Sequence, residues 1–304
     1  MAKPTLLLVD DEERILRSLR MLFFANYNVR MTTDANEAIR ILREERIHVI
    51  VSDQRMPIML GAELLRIARE TSPSTMRILL TGYSDLDASI ACVNEGEVYR
   101  YLLKPWKGEE VKQVVAEATA IASASFAAEQ SPATTAMLGE KVRILVIDND
   151  AATVNAVREA LQDRVEIFWA ETMQHATEVL AHKNIAVVVA DLILNGQNIS
   201  YMLKTVKQQY PNTQSMVVTS FKDTSHLIDL INQAQIARYL PKPLRMNMLG
   251  RNLEYLIERF HALCSAPLLQ TRQSVAPISD PHEKEQAHGL MELLSRLRLH
   301  RATA

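Results

Sequence analysis

The sequence predicts an α/β protein built from two doubly wound parallel-sheet domains in tandem. Three observations carry that expectation. Short apolar runs alternate with amphipathic segments, several runs end in a carboxylate, hydroxyl or lysine, and the pattern recurs at a constant offset of 138 residues.

In the first half the runs are Thr5–Val9, Val29–Thr32, His48–Ser52, Arg77–Thr81 and Tyr99–Leu103, rich in leucine and β-branched residues. Segments such as "EAIRILREER" and "AELLRIARE" lie between them, with apolar residues three and four apart, which is the helical period. Five strands alternating with helices predict a parallel sheet covered on both faces. A flavodoxin-like (βα)5 domain follows, with its ligands at the carboxyl ends of the strands.

The second half repeats this order. Asp10 matches Asp148, Asp53 matches Asp191, Thr81 matches Thr219 and Lys104 matches Lys242, all at the same offset. Pro73/Pro211, Asn94/Asn232 and the blocks "RYLLKP" and "RYLPKP" share it without a gap. Four polar matches at strand ends point to duplication. The expected organisation is a first domain over 1–126, a linker over 127–140, a divergent second domain over 141–264, and a tail over 265–304.

Two segments raise questions of packing. The helix carrying Val111, Val114, Val115, Ala118, Ala122 and Phe126 is longer than a cover helix needs, so it is expected to reach the second domain or another subunit. The tail reads as a flexible connector followed by a short amphipathic helix with Leu290, Leu293, Leu294 and Leu297 on one face and arginines opposite. Such a helix is marginal alone and is expected to dock or to support a homodimer.

Composition excludes several classes. With 304 residues, 48% hydrophobic and 23% charged, the chain reads as a soluble globular protein. A formal charge of −2 gives no reason to expect direct nucleic-acid or membrane binding. Cys92 and Cys264 have no metal or redox spacing and read as reduced thiols in a cytoplasmic protein. No signal peptide is seen, and no apolar stretch approaches the roughly 18 residues that span a bilayer.

Asp10, Asp11, Asp53, Thr81 and Lys104 come from the ends of four strands, so the fold should bring them together. Three close carboxylates require a cation to stay ionised. An oxygen-only set suits Mg²⁺, which commonly bridges carboxylates to a phosphoryl group. A lysine and a threonine hydroxyl can stabilise the oxygens of that group, and a carboxylate can be the nucleophile that receives it.

The segments "LLLVDDE", "VIVSDQRMP", "LLTGYSD" and "YRYLLKPW" resemble the diagnostic motifs of the response-regulator receiver domain of two-component signalling. The resemblance covers about residues 3–125 and, more weakly, 141–262. It implies that Asp53 accepts a phosphoryl group from a sensor histidine kinase or histidine phosphotransfer protein. Asp10, Asp11 and Asp53, with the backbone carbonyl of Arg55, would hold Mg²⁺. Thr81 and Lys104 would contact the acyl phosphate, and Tyr101 would stand at the aromatic switch position. Gly82 would leave room for the phosphoryl group and Met56-Pro57 would shape the loop. By the same resemblance Asp191 would be a second acceptor, with Asp148 and Asp191 toward the metal and Thr219, Lys242 and Tyr239 in the matching roles.

The second copy departs from the pattern. Asn149 replaces an acid of the metal pair, with Asp150 one residue on as a substitute, and "DLILNGQ" lacks the Met-Pro pair. Phosphorylation at Asp191 and use as a contact domain both stay open. A haloacid-dehalogenase-type phosphatase reading fails, because no acidic pair follows Lys242 and the first acid pair is adjacent rather than spaced. A DNA-binding or cyclic-dinucleotide output finds too few residues after the second domain. The expectation is a phosphoacceptor signalling protein rather than an enzyme, which switches an unknown downstream protein or dimerisation. A phosphate sink or relay, and a regulatory fragment of a longer protein, are the alternatives.

Overall fold

The computed structural model describes residues 3–82, 98–128, 141–220, 224–265 and 275–302. Cys92, Asn94, most of the expected linker and residues 266–274 of the connector lie outside the described residues. The chain divides into two compact units, Met1–Pro132 and Ala133–Ala304.

In the first unit β1 (Thr5–Val9), β2 (Asn28–Thr32), β3 (Val49–Asp53), β4 (Met76–Thr81) and β5 (Arg100–Leu103) form one sheet in the order β2-β1-β3-β4-β5. Every neighbouring pair is parallel. The described helices are α1 (Glu13–Phe23), α2 (Ala35–Glu44), α3 (Gly61–Thr71) and α4 (Gly108–Ala128). Central strands β3 and β4 are buried along their whole length, as expected for a sheet covered on both faces. Asp34 starts α2 by accepting the Asn36 amide at 2.8 Å.

Helix α4 uses its whole length within its own unit. Its apolar face, Val111, Val115, Ala118, Ile121, Ala122 and Phe126, belongs to the core of its own unit. The last turn is used there as well: Phe126 meets His48 edge-on at 5.4 Å and lies 4.8 Å below the Arg46 guanidinium. The extra length covers the amino-terminal end of β3.

The second unit repeats the topology with β6 (Val142–Ile147), β7 (Val165–Ala170), β8 (Val187–Ala190), β11 (Gln214–Thr219) and β12 (Arg238–Pro241). Their order is β7-β6-β8-β11-β12, again all parallel. The helices are α5 (Ala151–Leu161), α6 (Met173–His182), α7 (Ser200–Gln209), α8 (Thr224–Ala234) and α9 (Met246–Ser265). One addition is a small hairpin of β9 (Ile193–Leu194) and β10 (Gln197–Asn198) after Asp191. Its turn is Asn195-Gly196, both with positive φ (51° and 79°), the pair that a tight antiparallel turn favours. The peptide bonds before Pro105 and Pro243 are both cis.

The tail differs from its sequence reading. Helix α10 (Pro281–Ala302) has 22 residues and packs on α6 and α7. Ala287, Leu290 and Leu294 are buried, whereas Leu293 is 42% exposed. The contact therefore follows a narrower stripe than the four leucines suggested. Before it, Ala276 donates its amide to the Asn232 carbonyl and Gln233 reaches Ser279, so the end of the connector is tied to α8.

Candidate functional site

Each candidate residue of the first unit stands where a strand delivers it. Asp10 follows β1, Asp53 ends β3, Thr81 ends β4 and Lys104 follows β5. Parallel strands in register place these ends on one edge of the sheet. The ladder continues past it, with the Gln54 amide on the Leu80 carbonyl and the Lys104 amide on the Thr81 carbonyl.

Asp10 and Asp53 are buried, and the Lys104 ammonium joins them. Its Nζ is 2.6 Å from Asp53 Oδ1 and 3.4 Å from Asp10 Oδ2. The Glu12 amide donates to Asp10 Oδ1 at 2.9 Å, and the Arg55 amide donates to Asp53 Oδ2 at 3.0 Å. The Thr81 hydroxyl rests on the Gly82 carbonyl at 3.3 Å. Tyr101 is buried in the sheet next to Thr81's strand. Trp106 lies 5.6 Å from the Lys104 ammonium, at the rim, and Met56 is buried.

Electrostatics follow from burial. Desolvation raises the Asp10 pKa, opposed by the Glu12 amide and Lys104 and reinforced by the Asp53 charge. Burial also works against the Lys104 charge, but the hydrogen bond and attraction of Asp53, then of Asp10, outweigh it and the lysine is raised. Asp11 is exposed beside this cluster. Among the described residues, no group of three acids, histidines or cysteines closes into a metal cage. The donors nevertheless fit Mg²⁺: two buried carboxylates, a third at the rim and one lysine leave an excess of two negative charges. That cation binds through one or two carboxylates and keeps its waters.

The second unit holds Asp148, Asp191, Thr219 and Lys242 at the same edge, but its bonds differ. Lys242 Nζ is 2.8 Å from Asp148 Oδ2 and 2.7 Å from Asp191 Oδ2. The Thr153 hydroxyl donates to Asp148 Oδ2 and the Thr219 hydroxyl to Asp191 Oδ1, each at 2.6 Å. The amides of Asp150 and Ile193 complete the set. Asn149 is exposed, and the exposed Asp150 caps α5 by accepting the Ala152 amide. Burial raises the Tyr239 pKa, with Asp191 adding to it.

Two contributors escaped the sequence reading. Thr153 occupies the position of Ile15, so a hydroxyl replaces an apolar group at the carboxylate. A position-by-position comparison of the two copies would have flagged it. Trp169, whose Nε1 donates to the Asp148 carbonyl at 2.7 Å, stands where the first copy has Met31.

The response regulator receiver domain family matches residues 6–116 and 144–254. The hydrogenase transcriptional regulatory protein HoxA of Cupriavidus necator is 40% identical over 116 residues, 38% of this chain and 24% of that protein. The DNA-binding transcriptional regulator NtrC of Proteus hauseri is 34% identical over 119 residues, 39% and 25% respectively. A crystal structure of the signal receiver domain of an HD domain-containing protein from Pseudomonas fluorescens is 35% identical. It covers 43% of this chain and 96% of that one, with a TM-score of 0.41. The alignment with the two regulators spans about a quarter of their length.

Proposed function

Since the chain belongs to the response-regulator receiver family and carries two copies of the domain, we propose that the first copy is its phosphoacceptor and that Asp53 receives the group. The observation that carries this reading is the Lys104 ammonium bridging buried Asp53 and Asp10 at 2.6 and 3.4 Å. A buried nucleophilic carboxylate with a cation fixed beside it is suited to receive a phosphoryl group and to stabilise its oxygens.

In this reading an Asp53 carboxylate oxygen attacks phosphorus of a phosphohistidine on a sensor kinase or phosphotransfer protein. The P–N bond breaks, its electron pair stays on the imidazole nitrogen, and an acyl phosphate forms. Asp10, Asp11, Asp53 and the Arg55 carbonyl would hold Mg²⁺, which when bound neutralises charge on the phosphoryl oxygens. Lys104 remains as the fixed cation of the site. The Thr81 hydroxyl, now on the Gly82 carbonyl, turns to a phosphoryl oxygen. Tyr101, packed beside that strand, transmits the change to the surface, where a partner protein or a second copy of the chain responds.

Phosphoramidate with Mg²⁺ tests the assignment by intact mass. The wild-type chain should gain a phosphoryl group that hydroxylamine removes, and Asp53→Asn should lose the modification attributed to the first domain. Equal labelling of Asp53→Asn and wild type would reject Asp53 as the acceptor.

A further inference from the structure

We propose that the second receiver is a permanently closed one, whose acids are satisfied by the chain itself, so that it takes up neither a divalent cation nor a phosphoryl group. The inference concerns Asp191 and uses the reading of Asp53 only for comparison.

Charge is the first support. Asp148, Asp191 and Lys242 leave one excess negative charge, because Asn149 stands where the first copy has Asp11. The first site has an excess of two. A divalent ion would be overcompensated in the second and balanced in the first. Buried charge that is not balanced is costly.

Donor count is the second support. Asp148 accepts from the Asp150 amide, the Thr153 hydroxyl and Lys242, and Asp191 accepts from the Ile193 amide, the Thr219 hydroxyl and Lys242. Among the described residues Asp10 and Asp53 each accept two such bonds, and the Lys104–Asp10 contact is long at 3.4 Å. A carboxylate offers about four acceptor sites. An incoming ion would therefore have to displace short, buried, charge-assisted bonds in the second copy. Thr153 is decisive, since the first copy has only the apolar Ile15 at that place.

The third support concerns the switch itself. Thr219 already donates to the carboxylate that would carry the phosphoryl group, whereas Thr81 rests on a backbone carbonyl. A phosphoryl group could draw Thr81 to a new partner. In the second copy a ligand would first have to break the Thr219–Asp191 bond before it could select another arrangement.

The two tryptophans separate the sites: Trp106 faces Lys104, and Trp169 donates to the Asp148 carbonyl. The test follows their indole ¹⁵N–¹H signals in the full chain during titration with millimolar Mg²⁺, together with intact mass after phosphoramidate. Trp106 should shift while Trp169 stays still, and Asp53→Asn should gain no phosphoryl group. A Trp169 shift at millimolar Mg²⁺ would overturn the proposal. So would a phosphoryl group on Asp53→Asn that Asp191→Asn removes. If neither indole moves and the wild type is not labelled, closure of the second site stands and the reading of Asp53 falls. Asn149→Asp with Thr153→Ile should open the site and tighten Mg²⁺ binding at Trp169 by about 10–100-fold. A folded double variant that stays silent would overturn the assignment of closure to these residues. Asn149→Asp alone, at an exposed position, should give a smaller gain and serves if the double variant misfolds.

Discussion

Gly61 stands directly against the backbone carbonyl of Asp53: a Cβ at residue 61 would lie 1.9 Å from that oxygen and 2.9 Å from the Leu79 side chain. The start of α3 is thereby pressed onto the residue that ends β3. Its Gln54 contacts, from the Gly61 amide to the carbonyl and from the Ala62 amide to Oε1, hold it there.

Gly61→Ala must move one of two backbones, because the obstructing atom belongs to the main chain. Overpacking of this kind costs about 1–3 kcal/mol. Denaturant unfolding should show that loss in the first domain. Hydrogen exchange should rise first in the peptide containing β3, and an unchanged variant would mean that α3 approaches Asp53 less closely.

Asp10 gives a pH prediction. Burial, with the Asp53 charge adding to it, raises its pKa, while the Glu12 amide and Lys104 pull the other way. For an acid raised on folding, the stabilising contribution is complete below the unfolded value, about 3.9, and is lost as pH rises through the folded value. Without Mg²⁺ the first domain should therefore lose stability as pH rises above that unfolded value. Asp10→Asn should abolish that slope and slow exchange in β1 and β3 at neutral pH, at the expense of Mg²⁺ binding.

Lys204 on α7 and Glu283 on α10 form an ion pair, with side chains 3% and 20% exposed. Removing one partner of a buried pair leaves an unpaired charge and costs about 3–5 kcal/mol. Glu283→Ala should destabilise the second domain toward the lower end of that range, since Glu283 keeps some contact with water. Lys204→Met with Glu283→Leu should recover most of the loss. Chemical denaturation of the single and double variants measures both.

Leu294 of α10 is fully buried, whereas neighbouring Leu293 is 42% exposed. Leu294→Ala should cost about 2–5 kcal/mol and free the helix for proteolysis. Leu293→Ala should stay within about 0.5 kcal/mol and leave the cleavage pattern unchanged. Equal effects would place the docking stripe elsewhere on the helix.

The two sheets were legible because β-rich runs and amphipathic segments alternate, and because the offset of 138 ties Asp10, Asp53, Thr81 and Lys104 to their counterparts. Each observed strand of the first unit lies within one residue of its expected place. The β9–β10 hairpin was not anticipated, since its strands are two residues each and only Asn195-Gly196 signals it. The surface that covers the last turn of α4 was not legible either. Periodicity shows that a face is apolar but not which surface covers it, and Phe126 found His48 in its own unit.

By itself the sequence determined the repeated fold, the family and the residues gathered at the edge of each sheet, because local periodicity and strand-end position are properties of one dimension. Only the tertiary structure decided how those residues are bonded. Lys104 leans on Asp53, Lys242 grips Asp148 and Asp191 equally, and the Thr153 hydroxyl donates to Asp148 from the following helix. Charge balance and hydrogen-bond competition act through distances of a few ångströms in space, and each lysine lies 94 residues along the chain from the first aspartate it meets.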